Sequence, residues 1–147
     1  MNWDEYFINI AEQVKLKSKD KNTQIGVVIV GKDNSIVSTG YNSFARGIND
    51  DIDERQEKPE KYFWFEHAER NAIYNAARIG VSTLGTTMYM TCGMSCADCA
   101  RAIINSGISK IVLREGKGAN GTKWEESAVR SIQMFTEAGV TIEYYDK

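Results

Sequence analysis

At 147 residues, against roughly 150 per domain, the chain reads as a single domain over residues 1–147, large enough to bury a core. Charged residues make up 26% and hydrophobic ones 42%, and 18 Lys and Arg against 20 Asp and Glu leave a formal charge of −2, which excludes disordered and collagen-like chains and argues against binding a polynucleotide through bulk charge. No run approaches the roughly 20 apolar residues that span a bilayer, so no membrane partner is expected; the N-terminus begins acidic, unlike a signal peptide.

Phe7, Ile10, Ala11, Val14 and Leu16 recur at near-helical spacing and predict an amphipathic helix over residues 3–17. Gln24 to Gly31 is rich in Val and Ile and reads as a buried strand. Lys32-Asp33-Asn34-Ser35 is turn chemistry, so Ile36 to Tyr41 returns as the second strand of a hairpin. Residues 42–66 show no period until Tyr62-Phe63-Trp64-Phe65, and so long a segment reads as a functional loop, a lid or an interface arm. Its acidic stretch, Asn49 to Glu54, is a solvated face, and the aromatic cluster is core or subunit interface. A helix is predicted from Glu66 to Gly80 on the small residues Ala68, Ala72, Ala76 and Ala77. Thr86 to Cys92 follows as a strand, Ala97 to Ser106 as a helix stopped by Gly107, and Ile108 to Leu113 as a strand. After a Gly116 to Gly121 loop come a helix, Glu125 to Ala138, and a last strand, Val140 to Tyr145.

The order α-β-β-α-β-α-β-α-β contains consecutive β-α-β units, which imply parallel strands joined by right-handed crossovers, with the first hairpin as the antiparallel pair. The expected architecture is an α/β three-layer α-β-α sandwich around a five-stranded mixed sheet. In such sheets ligands sit where strands hand over to helices.

Three cysteines crowded between 92 and 99 make no disulfide framework. They point to a reducing cytoplasm and to a metal or a reactive thiol. His67, the only histidine, opens one predicted helix, and Cys96-Ala97-Asp98-Cys99 opens another. Residues three apart lie about 60° apart on a helical wheel, so both sulfurs face one side. Free N–H groups and the dipole of a helix's first turn stabilise thiolate there. One imidazole and two thiolates are three ligands with a fourth position open, the pattern of a catalytic rather than a structural zinc. Zinc so held lowers the pKa of water to about 7. Glu69 lies close enough to shuttle protons without ligating the metal. Three ligands, an open position and a nearby base describe a hydrolytic site.

His67-Ala68-Glu69 followed by Cys96-Ala97-Asp98-Cys99 resembles the zinc-dependent nucleobase deaminases, whose motif is H-x-E with P-C-x-x-C. The likeness extends to the deoxycytidylate (dCMP) deaminase branch through Ser18 to Gly26, Gly40-Tyr41-Asn42, Arg70 to Ile73, Met88 to Thr91, Ile103 to Ile108 and Ala138 to Val140. The resemblance implies a cytidine deaminase-like fold, Zn2+ on His67, Cys96 and Cys99, and Glu69 as the catalytic proton carrier in hydrolysis at C4 of cytosine. It implies substrate contacts from Asn42 to the sugar, from Lys19 and Thr23 near the phosphate, and from Ala68, Ser95 and Trp124 around the base. A cytoplasmic homo-oligomer, a hexamer or smaller, with dCTP and dTTP as candidate effectors, completes what the family implies. Two positions depart from its pattern: Ser95 stands where proline usually precedes the first paired cysteine, and Ser43 where glycine usually follows Gly-Tyr-Asn. Serine at 95 can still offer a main-chain carbonyl to the exocyclic amine. With no second histidine and only Cys92 spare, a second, structural zinc is not expected.

Other readings stand beside these. Lys15, Lys17, Lys19 and Lys21 also suit a helix C-terminus and its solvent. Cys92 reads as a small buried hydrophobe, and Trp124 as either core plug or pocket wall. Cys92-x3-Cys96-x2-Cys99 has the spacing of radical-SAM enzymes, but only 48 residues follow Cys99 and His67 and Glu69 would lack a role. A structural zinc module without chemistry is the second rival. Within deaminases the alternatives are another cytosine nucleoside or nucleotide, guanine, or adenosine in tRNA.

Overall fold

The computed structural model describes residues 1–114 and 124–145, with the Trp124 side chain outside the description; the expected Gly116–Gly121 loop lies outside it as well. Helix α1 (Trp3–Val14) starts at an Asn2 cap whose side chain accepts from the Glu5 amide at 2.8 Å, satisfying one of the orphan donors of the first turn. A 3-10 turn over Lys15–Lys17 completes the stretch expected to be helical. Strands β1 (Gly26–Val30) and β2 (Ile36–Tyr41) form the hairpin. After the 42–66 segment come α3 (Ala68–Ile79), β5 (Thr87–Met90), α4 (Ala97–Asn105), β6 (Lys110–Arg114), α5 (Trp124–Ala138) and β7 (Thr141–Tyr145).

The sheet order is β2-β1-β5-β6-β7. Strand β1 is antiparallel to both β2 and β5, whereas β5, β6 and β7 are parallel. The hairpin therefore supplies two antiparallel pairings rather than the one expected, because β5 adds to the free side of β1. This has a consequence for the site. Strands β2 and β5, each opposed to β1, run the same way, so the connections leaving their carboxyl ends emerge at one edge of the sheet. Helices α3 and α4 begin there, side by side.

Alternation along the strands divides the core into two layers. Val28, Val30, Tyr89 and Val112 meet Phe7, Ile8 and Ala11 of α1 on one face. Val27, Ile29, Met88, Met90, Ile111 and Leu113 meet α3, α4 and α5 on the other, through Ala68, Ala72, Ala100, Ile103 and Phe135. Full burial of each large side chain contributes about 1.5–3 kcal/mol. The result is the three-layer arrangement.

Helix α3 lies unusually close to β2. Gly40 makes this approach possible, since a Cβ there would sit 2.7 Å from the Ala68 carbonyl oxygen and 2.8 Å from the Ala72 Cα. Polar side chains fix the contact. Asn71 and Asn75 donate to the Tyr41 and Thr39 carbonyls at 2.8 and 2.7 Å, and Ser38 donates to the Ala72 carbonyl at 2.8 Å. Gly80, with φ of 78°, ends the helix in the left-handed conformation that glycine adopts without strain.

The 42–66 segment is built of small pieces: β3 (Ser43–Phe44), a 3-10 turn over Asp53–Gln56, α2 (Lys61–Trp64) and β4 (Phe65–Glu66). Strands β3 and β4 pair antiparallel, Ser43 with Glu66 and Phe44 with Phe65. The excursion thus closes on itself one residue before His67. Its aromatic cluster is not core: Phe63 is 82% exposed, Tyr62 is exposed, and Phe65 packs edge-on against Phe44 with ring centroids 4.5 Å apart.

Candidate active site

His67 is the N-cap of α3 and Cys96 the N-cap of α4, with Cys99 in the first turn beyond it. Because both helices start at the same sheet edge, three donors meet: His67 Nδ1 lies 3.2 Å from Cys99 Sγ and 3.5 Å from Cys96 Sγ, and all three ligand atoms fall within 4.8 Å of one another. A tetrahedral zinc with ordinary Zn–S and Zn–N bonds would place these atoms about 3.6–3.8 Å apart. The donors lie close to three corners of such a site, with the type and spacing that zinc requires.

Helix α4 prepares its thiolate. The Cys99 amide donates to Cys96 Sγ at 3.5 Å, and the Ala97 amide donates to Ser127 Oγ of α5 at 2.7 Å. A hydrogen bond from Cys99, followed by the bond to the His67 imidazole, holds the Cys96 thiol down at about 4. Giving that bond, with burial adding, pushes Cys99 up. His67 is raised by its bond to Cys96, against the lowering effect of burial. The lowered Cys96 sulfur, between a raised Cys99 and a raised His67, gathers the negative charge that a divalent ion would meet.

Glu69 is the second residue of α3 and only 4% exposed. Ser95, just before the Cys96 cap, donates its hydroxyl to Glu69 Oε2 at 2.7 Å. Glu69, Ser95, His67 and Cys96 all line one pocket of about 580 Å³. Cys92 also lines it, outside the donor cluster, and burial raises its thiol well above the ordinary range.

Another part of the wall is organised by Asn42. Its Oδ1 accepts from the Ile25 amide at 2.9 Å, and its Nδ2 donates to the Thr23 carbonyl at 2.8 Å and to Asp20 Oδ2 at 3.2 Å. Asp20 Oδ1 in turn accepts from Lys61 Nζ and the Asn22 amide at 2.8 Å, and from the Thr23 amide at 3.2 Å. Of the residues expected to meet substrate, Asn42, Thr23 and Ser95 line the pocket. Lys19 is not on its wall: the ammonium bonds Asp50 at 2.9 Å with Asp51 nearby, which raises its pKa, and its side chain is 59% exposed. Ala68 is fully buried in the core beneath the site. Trp124 begins α5, and its side chain lies outside the described residues.

Sequence reasoning passed over Lys61, and it gave no role of their own to Asp20, inside the Lys19–Thr23 segment expected near the phosphate, or to Arg70, inside the matching motif. Arg70 Nε donates to Glu66 Oε1 at 2.7 Å, and that oxygen also accepts from the His67 amide at 3.0 Å, bracing the start of α3. The i,i+4 spacing of Glu66 and Arg70 was a readable signal. Lys61 and Asp20 are 41 residues apart and carried none.

Comparison with known proteins sets this geometry in context. Residues 1–115 match the family described as the cytidine and deoxycytidylate deaminase zinc-binding region. A probable deoxycytidylate deaminase of Caenorhabditis elegans is 42% identical over 115 residues, covering 76% of this chain and 56% of that protein. The deoxycytidylate deaminase of Homo sapiens is 34% identical over 146 residues, covering 96% of this chain and 78% of that protein. The fold resembles that of the dCMP deaminase of cyanophage S-TIM5 in complex with dCMP and dUMP, with a TM-score of 0.75 and 23% identity over 96% of this chain and 95% of that one.

Proposed function

The chain belongs to the cytidine and deoxycytidylate deaminase zinc-binding family, and from that premise we propose that it is a single-domain zinc-dependent hydrolase converting dCMP to dUMP and ammonia, supplying thymidylate synthesis. The observation that carries the reading is the meeting of three zinc donors, His67, Cys96 and Cys99, two of which share a pocket wall with the buried Glu69. The relatives' names support deoxycytidylate as the substrate.

Zinc, when bound, supplies the Lewis acid that ionises water near neutral pH. Glu69 accepts a proton from the attacking water and delivers it to N3 of the cytosine ring, then takes the remaining water proton from the C4 hydroxyl and passes it to the departing 4-amino group. One water is consumed, C4 becomes a carbonyl and ammonia leaves. The Ser95 main-chain carbonyl accepts from the exocyclic amine. Both Nδ2 hydrogens of Asn42 are engaged, so its remaining capacity is a lone pair on Oδ1, suited to a sugar hydroxyl. Lys61, on the pocket wall, is the cation we assign to the phosphate in place of Lys19.

The three cysteines are free thiols, in keeping with a reducing cytoplasm. A homo-oligomer, a hexamer or smaller, would cover the exposed Phe63, and dCTP and dTTP are candidate effectors. A second reading has one observation in its favour: Asp20, Glu66, Glu69 and Asp98 outnumber Lys61 and Arg70 among the described wall residues, which suits an unphosphorylated cytosine nucleoside. A deamination screen over cytosine, deoxycytidine, dCMP, dCTP, guanine and tRNA, with metal analysis and with and without effectors, separates these readings. We expect turnover of dCMP above all others, bound zinc, and loss of turnover with zinc retained in Glu69→Gln. Preference for deoxycytidine overturns the phosphate assignment, and preference for guanine or tRNA overturns the substrate class.

A further inference from the structure

We propose that Ser95 is a positioning residue for the proton carrier: its hydroxyl anchors Glu69 through Oε2 and leaves Oε1 to make and break bonds to protons. The two residues lie on different elements, Glu69 in the first turn of α3 and Ser95 in the connection between β5 and α4. Both are closed off from bulk water, at 4% and 2% exposure. The 2.7 Å separation is that of a well-made O–H···O hydrogen bond. Among the described residues it is the only hydrogen bond recorded to the Glu69 carboxylate. The hydroxyl has one hydrogen to give. Its other neighbour, Met90 Sδ at 3.7 Å, is a weak acceptor, so the donor is committed to Glu69.

A glutamate side chain turns about three bonds, and fixing it in one rotamer costs conformational entropy. An unanchored carboxylate would spend part of its time turned away from the reacting water. Holding one oxygen removes that motion and divides the labour between the two: Oε2 stays an acceptor throughout, while Oε1 cycles between charged and protonated. Proline, the residue usual at this position in the family that the motif resembles, has no side-chain donor. Serine at this position can therefore make an anchor that proline cannot.

This inference rests on the reading of Glu69 as the proton carrier, and the test keeps the two apart. Ser95→Ala, Ser95→Thr and Glu69→Gln are purified with zinc, and kcat and KM for dCMP, zinc per chain and the crystal structure are determined for each. Ser95→Ala should lose about tenfold to a hundredfold in kcat, the scale expected when a catalytic group is displaced by about 1 Å. KM and zinc content should stay unchanged, and the Glu69 carboxylate should leave its wild-type position in the crystal. Ser95→Thr, which keeps the hydroxyl, should restore most of the rate. Wild-type kcat in Ser95→Ala overturns the proposal, as does a loss accompanied by lost zinc or one that Ser95→Thr leaves uncorrected. If Glu69→Gln itself turns over normally, the deaminase mechanism fails rather than the anchor.

Discussion

Replacing Gly40 with alanine should disable the site from beneath, without touching any residue that meets zinc or substrate. A Cβ at this position would lie 2.7 Å from the Ala68 carbonyl oxygen, 2.8 Å from the Ala72 Cα and closer still to the Ala72 amide nitrogen. All three are backbone atoms, so no side chain can turn aside to make room. Restoring ordinary carbon contact requires β2 and α3 to part by about 1 Å. That movement stretches the bonds from Ser38, Asn71 and Asn75 that fasten the helix to the strand. Overpacking of this kind costs about 1–3 kcal/mol, and in a chain of this size each kcal/mol lowers Tm by about 2–4 °C. Activity should suffer more, since His67 caps α3 and Glu69 occupies its first turn. A shift of that size exceeds the roughly 0.2 Å tolerance of metal–ligand bonds and should lower kcat by about a hundredfold. Gly26→Ala is the control. Its Cβ would strike the Ala11 carbonyl and approach the Lys15 amide at 2.7 Å, on the α1 face, away from the zinc ligands. It should destabilise as much, yet keep near-normal zinc affinity and kcat well below its Tm. Calorimetry, a competitive zinc chelator and ammonia release read the three quantities. Wild-type zinc affinity and rate in Gly40→Ala, or equal kcat losses in the two variants, would refute the coupling of β2 packing to the site.

Thiol chemistry offers an independent check. In metal-stripped protein Cys96, held down at about 4, is ionised throughout pH 5–8, so its alkylation by iodoacetamide should be almost flat with pH and fade only as pH falls towards 4. Cys99 and Cys92, both raised, should stay unlabelled below pH 8; peptide mass spectrometry showing Cys96 labelling that climbs about tenfold per pH unit across that range contradicts the assignment. Zinc must displace the proton of Cys99, and that of His67 once the pH falls low enough to protonate the imidazole, so its affinity should fall as pH is lowered, by up to about tenfold per unit for each proton released. Lys61→Ala should raise KM for dCMP about tenfold or more over that for deoxycytidine, as expected on losing a charge-assisted hydrogen bond, and should also lower Tm because Asp20 loses a buried partner. A larger dCMP-specific effect from Lys19→Ala would return the phosphate to Lys19.

What the sequence disclosed, and what it withheld, follows the range of the interactions involved. The zinc donors were legible because each lies where a helix begins, and a helix start is written in a few adjacent residues: Glu66-His67-Ala68-Glu69 and Ser95 to Cys99. Their meeting in space also followed from topology, once β2 and β5 were taken as strands running the same way. The choice of β5 rather than an open edge as the second neighbour of β1 was not legible, because the buried run Val27 to Val30 can pair on either side without changing its pattern. Residues 42–66 gave no period since none of their elements exceeds four residues, too short for either repeat to show. The Asp20–Lys61 pair and the Ser95–Glu69 bond join residues 41 and 26 positions apart, and nothing local marks them. Yet Ser95 was visible as a departure from the family's pattern, where the useful question concerned its main-chain carbonyl. Serine differs from proline by a hydroxyl donor as well as by a main-chain N–H. A substitution beside an invariant chemistry is best read by asking what the new group can donate and which buried acceptor lies within 3 Å of it, and here that acceptor is the proton carrier itself.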